Sequence, residues 1–166
     1  KYRLCVALRG SREELDARYS DRVALDPTDM SAPAEHALYL TPKWYGDSDC
    51  VETLARDYLA ATSDILGDAG YAATYLDILD RDHAPLQALD TDLFARGLHE
   101  LLSLSQAPQA TLNYALAQIF ACVARRPSCG ETEDVHHRLR MLAHALIQGR
   151  LEVAMPYRWT MGEGDM

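Results

Sequence analysis

The histidines of residues 136–144 are the side chains whose spacing best suits metal binding. His137 and His144 lie two turns apart on one face of a predicted helix, and Glu133 lies one turn before His137. A metal site there would also need carboxylates from a second helix. H-E-x-x-H is absent, and Glu-x-x-His occurs once, at residues 133–136, whereas di-iron bundles need two copies. We therefore interpret these histidines as surface groups beside acidic residues, with a metal site at Glu133, His137 and His144 as the alternative.

Three aspartates and a histidine crowd the end of another predicted helix. Asp77, Asp80 and Asp82 are followed directly by His83, and carboxylates at the C-terminal end of a helix oppose its dipole. The twelve-residue calcium loop, with its central glycine and final glutamate, is absent. A solvated surface is the simplest interpretation. The functional interpretation is that Asp77, Asp80 and Asp82 contact a basic partner.

The motifs of common enzyme classes are absent. The chain has no G-x-S-x-G nucleophile motif, no phosphate-binding glycine loop and no dinucleotide-binding fingerprint. Its 25 acidic residues include no pair whose context marks it as the catalytic pair of a glycosidase. We expect a protein that is not an enzyme, with no catalytic residues and no cofactor. The alternative is a small metal-dependent or hydrolytic enzyme that uses the helix of residues 136–144.

An excess of acidic side chains limits the kinds of partner. The 166 residues include 16 lysines and arginines and 25 acidic residues, which give a net charge of −9. Residues 43–100 contain 12 of the acidic residues and four basic ones. Binding to nucleic acid needs a surplus of positive charge, so we exclude nucleic acid and expect a protein partner with a basic surface. No stretch of about 18 apolar residues is present, so we expect no membrane insertion.

Apolar residues recur with helical spacing through most of the chain, which predicts a single all-α domain over residues 1–150. The apolar stripes lie in residues 51–59, 71–79, 94–102, 112–123 and 135–146. Short links containing Gly67 or Pro108 separate successive helices, and Gly149 is expected to end the last one. Asp49, with Glu52 three residues later, predicts a capping box. Short links make neighbouring helices antiparallel, so we expect helical hairpins stacked as a bundle or a short solenoid.

The last sixteen residues have a different pattern. Apolar residues alternate from Leu151 to Met161 with Pro156 between them, which predicts an extended C-terminal tail over residues 151–166. Tyr157 and Trp159 lie on the apolar side of this tail. The tail either packs this side onto its own domain or offers Tyr157 and Trp159 to a partner.

The four cysteines carry little information about the compartment. Cys5, Cys50, Cys122 and Cys129 have no zinc-type spacing, and buried free thiols are favoured over two disulfide bridges. The chain begins at Lys1 without a charged segment followed by an apolar run. We expect a cytoplasmic protein, although a cleaved signal peptide would leave the same sequence.

The segment L-T-P-K-W-Y-G-D at residues 40–47 resembles the L-x-P-[RK]-W-x-G-S segment of uncharacterised bacterial proteins with tetratricopeptide-like helices. An A-L-D-P step at residues 24–27 precedes it, similar to the end of a tetratricopeptide unit. The resemblance covers residues 12–80, without a complete 34-residue repeat. It implies a helical-repeat fold in which Pro42 ends a helix, Trp44 fills a groove between helices and Gly46 permits a turn. It implies partner binding and transfers no catalytic residues.

These patterns together predict a non-enzymatic helical-repeat module for protein–protein interaction. An adaptor, or an immunity-type protein that blocks a basic toxin or enzyme, fits the small size and the acidic middle segment.

Overall fold

The computed structural model describes residues 11–47, 49–125 and 133–154, with side chains to residue 149. These residues form seven α-helices and one short 3-10 helix, and contain no strand. The helices are α1 Arg12–Leu25, α2 Ser31–Tyr39, α3 Cys50–Leu66, α4 Ala69–Leu76, the 3-10 helix Ala84–Ala88, α5 Thr91–Leu104, α6 Pro108–Ala124 and α7 Glu133–Ala154. The all-α prediction is confirmed.

Helix packing follows the order of the chain. In the described residues, every extensive contact between α-helices joins a helix to the next one or to the next but one. This is the contact pattern of a short stack, in which each unit packs against its neighbours. Helix α4 lies at the centre and packs against α2, α3 and α5, and all eight of its residues are buried.

The predicted apolar stripes form the core. Tyr58, Tyr71, Phe94, Ile119 and Leu139, one from each of five helices, are at most 2% exposed. Burying such side chains stabilises the fold by about 1.5–3 kcal/mol each. Helical periodicity therefore identified the inward faces of α3 to α7.

One residue of these stripes points outward. Phe120 belongs to the predicted apolar stripe of residues 112–123 and follows the buried Ile119. Its side chain is nevertheless 48% exposed. The inward positions of α6 are Leu112, Ala115, Ile119 and Cys122, which are spaced by three or four residues. Phe120 falls one residue beyond this face, about 100° further around the helix.

The helix starts and breaks are set by local polar groups. The Asp90 side chain accepts a hydrogen bond from Leu93 N (3.0 Å) and caps α5. Gly67 follows α3 with φ +55°, a conformation that favours glycine. The predicted capping box at Asp49 is wrong, because Asp49 has helical dihedral angles and its side chain makes no capping hydrogen bond. The carboxylate of Asp47 instead accepts hydrogen bonds from the backbone N–H groups of Asp49 and Cys50, both at 3.0 Å.

The tryptophan segment forms a tight turn that folds back on α2. Tyr45 N donates to Tyr39 O at 3.0 Å, and a Cβ at Gly46 would lie 2.0 Å from Leu40 O, so only glycine fits. Pro42 follows the end of α2 by three residues. Trp44 does not fill a groove between helices, as the resemblance implied. It is 54% exposed and meets Tyr39 edge to face, because the turn places it over the end of α2.

Helix α7 extends further than predicted. It passes through Gly149 and reaches Ala154, the last described residue, so residues 151–154 are helical rather than the start of an extended tail. A single glycine weakens a helix by about 1 kcal/mol relative to alanine but does not end it unless the backbone turns to positive φ. Tyr157 and Trp159 lie outside the described residues, as do Cys5 and Cys129. No described helix is long and apolar enough to cross a membrane.

Candidate functional site

The three predicted metal ligands on the last helix are not brought together. Glu133, His137 and His144 are all exposed on α7. Among the described residues, one group of three metal-ligating side chains lies close together, and it includes none of these. The adjacent His136 is 4% exposed and belongs to that group.

His83, Cys122 and His136 form this group, which we call the His–Cys cluster. One ligand atom of each residue lies within 4.8 Å of those of the other two. Cys122 Sγ is 3.9 Å from His136 Nε2, and the histidine rings meet edge to face with centroids 5.1 Å apart. His83 Nε2 is buried and has no hydrogen-bond partner in the described structure. Buried polar atoms of this kind are rare in folded proteins.

Three separate elements position the cluster. His83 precedes the 3-10 helix in the link between α4 and α5. Cys122 lies in the last turn of α6, one turn after the buried Ile119, and His136 lies in the first turn of α7, one turn before the buried Leu139. The apolar faces of α6 and α7 therefore carry these two polar side chains inward with them.

Burial sets the protonation of all three groups. It raises the pKa of the Cys122 thiol to about 11. It lowers the pKa of both His83 and His136, and the nearby cations Arg125 and Arg140 act in the same direction. At neutral pH the cluster thus holds a protonated thiol and two neutral imidazoles, whose unprotonated nitrogens are electron-pair donors.

The three predicted partner-binding aspartates each have a contact within the chain. Asp77 accepts a hydrogen bond from the hydroxyl of Tyr114, and Asp80 pairs with Arg125 at 2.8 Å. The Asp82 carboxylate accepts a hydrogen bond from Ala84 N at 3.0 Å, in the turn that leads into the 3-10 helix. These contacts explain why carboxylates accumulate at an unfavourable helix end.

Asp80 and Asp82 also lie beside Trp44. The three residues line a groove of about 510 Å³, which we call the Trp44 groove. Lys43, Arg81 and Arg125 line the same groove, so its cations outnumber its carboxylates. The structure thus places two of the predicted partner-binding aspartates and Trp44 in one groove, but the described residues that line it carry no net negative charge.

A second groove, between α1, α2 and α3, is strongly acidic. It has a volume of about 370 Å³, and we call it the acidic groove. Among the described residues, its acidic and basic lining groups are four aspartates and one arginine: Asp16, Asp47, Asp49, Asp57 and Arg12. The inner wall includes His36, which is 2% exposed and stacks on Tyr19 with ring centroids 4.5 Å apart.

Acidification is expected to destabilise the protein between about pH 7 and pH 5. Burial lowers the pKa of His36, His83 and His136 below the ordinary value of about 6.5. For His36, burial outweighs the carboxylate of Asp16, whose Oδ1 lies 3.0 Å from Nε2. As the pH falls through about 6.5, the unfolded chain binds protons before the folded chain. The free energy of unfolding then falls by up to about 1.4 kcal/mol per pH unit for each histidine.

Urea unfolding of the metal-free protein at several pH values between about 7.5 and 5.5 measures this slope. His36→Gln should remove one histidine's share of it. A free energy of unfolding that rises as the pH falls through this range would contradict the argument.

The His–Cys cluster was missed in the sequence for an identifiable reason. The spacing of His137 and His144 gives them a common face, but that face is exposed. His136 lies three residues before the buried Leu139 and therefore shares its face of the helix. This spacing in the sequence could have identified His136, rather than His137, as the inward-facing histidine. No local pattern connects it to His83, because the two belong to elements separated by α5 and α6.

Comparisons of the chain with models of protein families, with curated proteins and with solved structures found no match.

Proposed function

We propose that this chain is a non-enzymatic helical interaction protein that binds a basic segment of a protein partner in the acidic groove. The observation that carries the proposal is the charge of that groove, where the described residues place four carboxylates and one guanidinium. A cleft lined by charge of one sign attracts and orients a partner of the opposite sign.

Arg12, the one cation that the described part of the chain places in the groove, already has partners. Arg12 Nη1 donates to Tyr45 O at 2.9 Å, and its Nε lies 3.4 Å from Asp16 Oδ2. Asp47 is likewise engaged at the start of α3. Asp49 and Asp57 are both exposed on the groove wall, so their charge is directed to solvent and available to a ligand.

Apolar and aromatic surface accompanies the carboxylates. The groove lining includes the half-buried Tyr19 and the exposed Thr53, above the buried Leu40 and Leu54. Such a surface suits the side chain of arginine or lysine, whose aliphatic stem packs on apolar groups while its charged end meets a carboxylate. The groove therefore favours an arginine- or lysine-containing peptide over a small inorganic cation.

The helical-repeat resemblance supports the same interpretation. Stacked helices use their grooves to bind extended segments of other proteins. A tetratricopeptide-like adaptor or an immunity-type protein would both use the chain in this way. The sequence predicted a contact surface at Asp77, Asp80 and Asp82. The present proposal places the contact surface in the acidic groove between α1, α2 and α3 instead.

An arginine-rich nonapeptide tests this proposal by isothermal titration calorimetry with the intact chain. We expect one peptide to bind per chain, with an affinity that falls as the ionic strength rises. Asp57→Asn and Asp49→Asn should each weaken binding by about fivefold or more, which corresponds to about 1 kcal/mol for a lost charge pair.

Asp64→Asn is the matched control. Asp64 is exposed on the same helix as Asp57 but lies outside the groove, and the substitution changes the net charge equally. Binding to this variant should stay within about twofold of that of the unmodified chain. An equal loss for Asp64→Asn would assign the binding to overall charge, and the absence of binding at low salt would overturn the proposal.

A further inference from the structure

We propose that the side chains of His83, Cys122 and His136 bind a zinc ion. This site is separate from the acidic groove and shares no residue with it. The proposal extends the function of the chain rather than depending on the peptide-binding proposal above.

The separations between the ligand atoms are close to those that zinc requires. Zinc–nitrogen bonds of about 2.0–2.1 Å and zinc–sulfur bonds of about 2.3 Å place tetrahedral ligand atoms about 3.3–3.6 Å apart. Cys122 Sγ and His136 Nε2 are 3.9 Å apart, and the whole set of ligand atoms lies within 4.8 Å. Small side-chain rotations therefore bring the three atoms around one ion.

The types of ligand in the cluster select the type of ion. One thiol and two imidazoles suit zinc, whereas magnesium and calcium require oxygen ligands. The ion pair between Asp80 and Arg125 lies close enough to influence the pKa of Cys122 and of His83. That carboxylate already has a cationic partner, so the nitrogen and sulfur atoms are the free donors.

The buried Nε2 of His83 is a second, independent indication of a ligand. A buried nitrogen without a partner in the described residues has lost its hydrogen bonds to water and gained none in exchange. Cys122 Sγ and His136 Nε2 form a weak hydrogen bond at 3.9 Å, which a bond from each atom to one metal ion would replace. A metal ion would satisfy all three side chains at once.

Binding would link three elements of the stack. His83 belongs to the link between α4 and α5, Cys122 to the end of α6 and His136 to the start of α7. Zinc binding converts the Cys122 thiol to a zinc-bound thiolate and releases its proton to solvent, and the imidazoles bind as neutral ligands. Three protein ligands leave a fourth position for water, as in zinc sites with an open position.

Metal titration of the intact, metal-free chain tests the proposal. Competition with a chromophoric zinc indicator should show one tightly bound zinc ion per chain. Cobalt(II), which replaces zinc in tetrahedral sites, should give a thiolate charge-transfer band in the near ultraviolet. Zinc should also raise the melting temperature, because it binds the folded chain.

Substitutions identify the ligands. Cys122→Ala should abolish the cobalt charge-transfer band and weaken zinc binding on the order of 100-fold or more. His83→Gln, at a half-buried position, should weaken it by about tenfold or more with the helical circular dichroism unchanged. His137→Gln is the matched control, since it removes an exposed histidine beside His136 and should leave zinc affinity within about twofold.

Three results would overturn the proposal. A charge-transfer band that survives in Cys122→Ala would assign binding to another thiol. An equal loss in His137→Gln and His83→Gln would place the ion on the outer face of α7. Failure of the folded chain to compete with the indicator would exclude the site. None of these results bears on peptide binding in the acidic groove, so the two proposals fail independently.

Discussion

The variant Glu52→Ala is expected to lose about 2–5 kcal/mol of the free energy of unfolding, the largest effect of any single substitution proposed for this chain. Glu52 Oε2 accepts hydrogen bonds from the hydroxyls of Tyr71 and Tyr75, both at 2.7 Å, and Oε1 accepts one from Arg56 Nε at 2.6 Å. Both tyrosines are fully buried on α4. Removing the carboxylate takes the acceptor from two buried hydroxyls. Tyr71 keeps the hydrogen bond that its hydroxyl accepts from Asp90 N at 3.0 Å, so the desolvation penalty falls mainly on Tyr75.

A double-mutant cycle separates this network from simple loss of side-chain volume. Tyr75→Phe alone should cost about 1 kcal/mol, since it removes one hydrogen bond and keeps the ring. In the Glu52→Ala background the same substitution should be close to neutral, because the buried hydroxyl that it removes has already lost its carboxylate acceptor. Urea unfolding of the four proteins measures the coupling. Additive effects would mean that Glu52 and Tyr75 act independently and would contradict the network.

The variant Gly97→Ala is expected to lose about 2–4 kcal/mol of the free energy of unfolding. A Cβ at this position of α5 would lie 2.2 Å from Asp68 O and 3.0 Å from the Cβ of Ala72. The first contact is with backbone at the start of α4, which cannot rotate away as a side chain would. Helices α4 and α5 must separate to admit the methyl group, and α4 is the most buried helix of the stack.

Gly149→Ala is the matched control for this prediction. Gly149 also lies within a helix, but a Cβ there would meet no atom of the described residues within 4 Å. The substitution should stabilise the chain by about 0.5–1 kcal/mol, because alanine favours helix more than glycine. Urea unfolding of both variants gives the comparison. Equal stability of Gly97→Ala and the unmodified chain would show that α4 and α5 are not in close contact.

The spacing of apolar residues predicted the fold, because the buried positions of a helix can be recognised from the local sequence alone. The residues that α3 and α5 bury, such as Tyr58 and Leu98, recur every three or four positions and need no knowledge of distant contacts. The errors at Asp49 and Gly149 concern helix ends. At the start of α3, Asp47 and Asp49 could each cap the helix, and the structure uses Asp47. At Gly149 the helix continues, because a glycine ends a helix only where its backbone adopts a positive φ.

The candidate sites could not be predicted in the same way, because each is made by tertiary contacts. The acidic groove combines Asp16 of α1 with Asp57 of α3, and the charge of residues 43–100 alone does not indicate that pairing. The His–Cys cluster depends on which of two adjacent histidines, His136 or His137, faces the core. A shift of one residue in that assignment turns a buried ligand into a solvated one.

In the described residues each helix packs extensively only against near neighbours in the chain, and this arrangement has a consequence for local unfolding. Helix α1 lies at one end of the described residues, and among them Leu15 is its only fully buried residue. We therefore expect local unfolding to begin at α1 and to reach the fully buried α4 last. Detachment of α1 carries away Asp16 and Arg12 and uncovers the His36 ring, so the groove exists only while α1 is docked. A basic peptide bound in the groove would hold α1 in place and slow amide hydrogen exchange in that helix. Zinc bound at the His–Cys cluster would slow amide hydrogen exchange in α6 and α7.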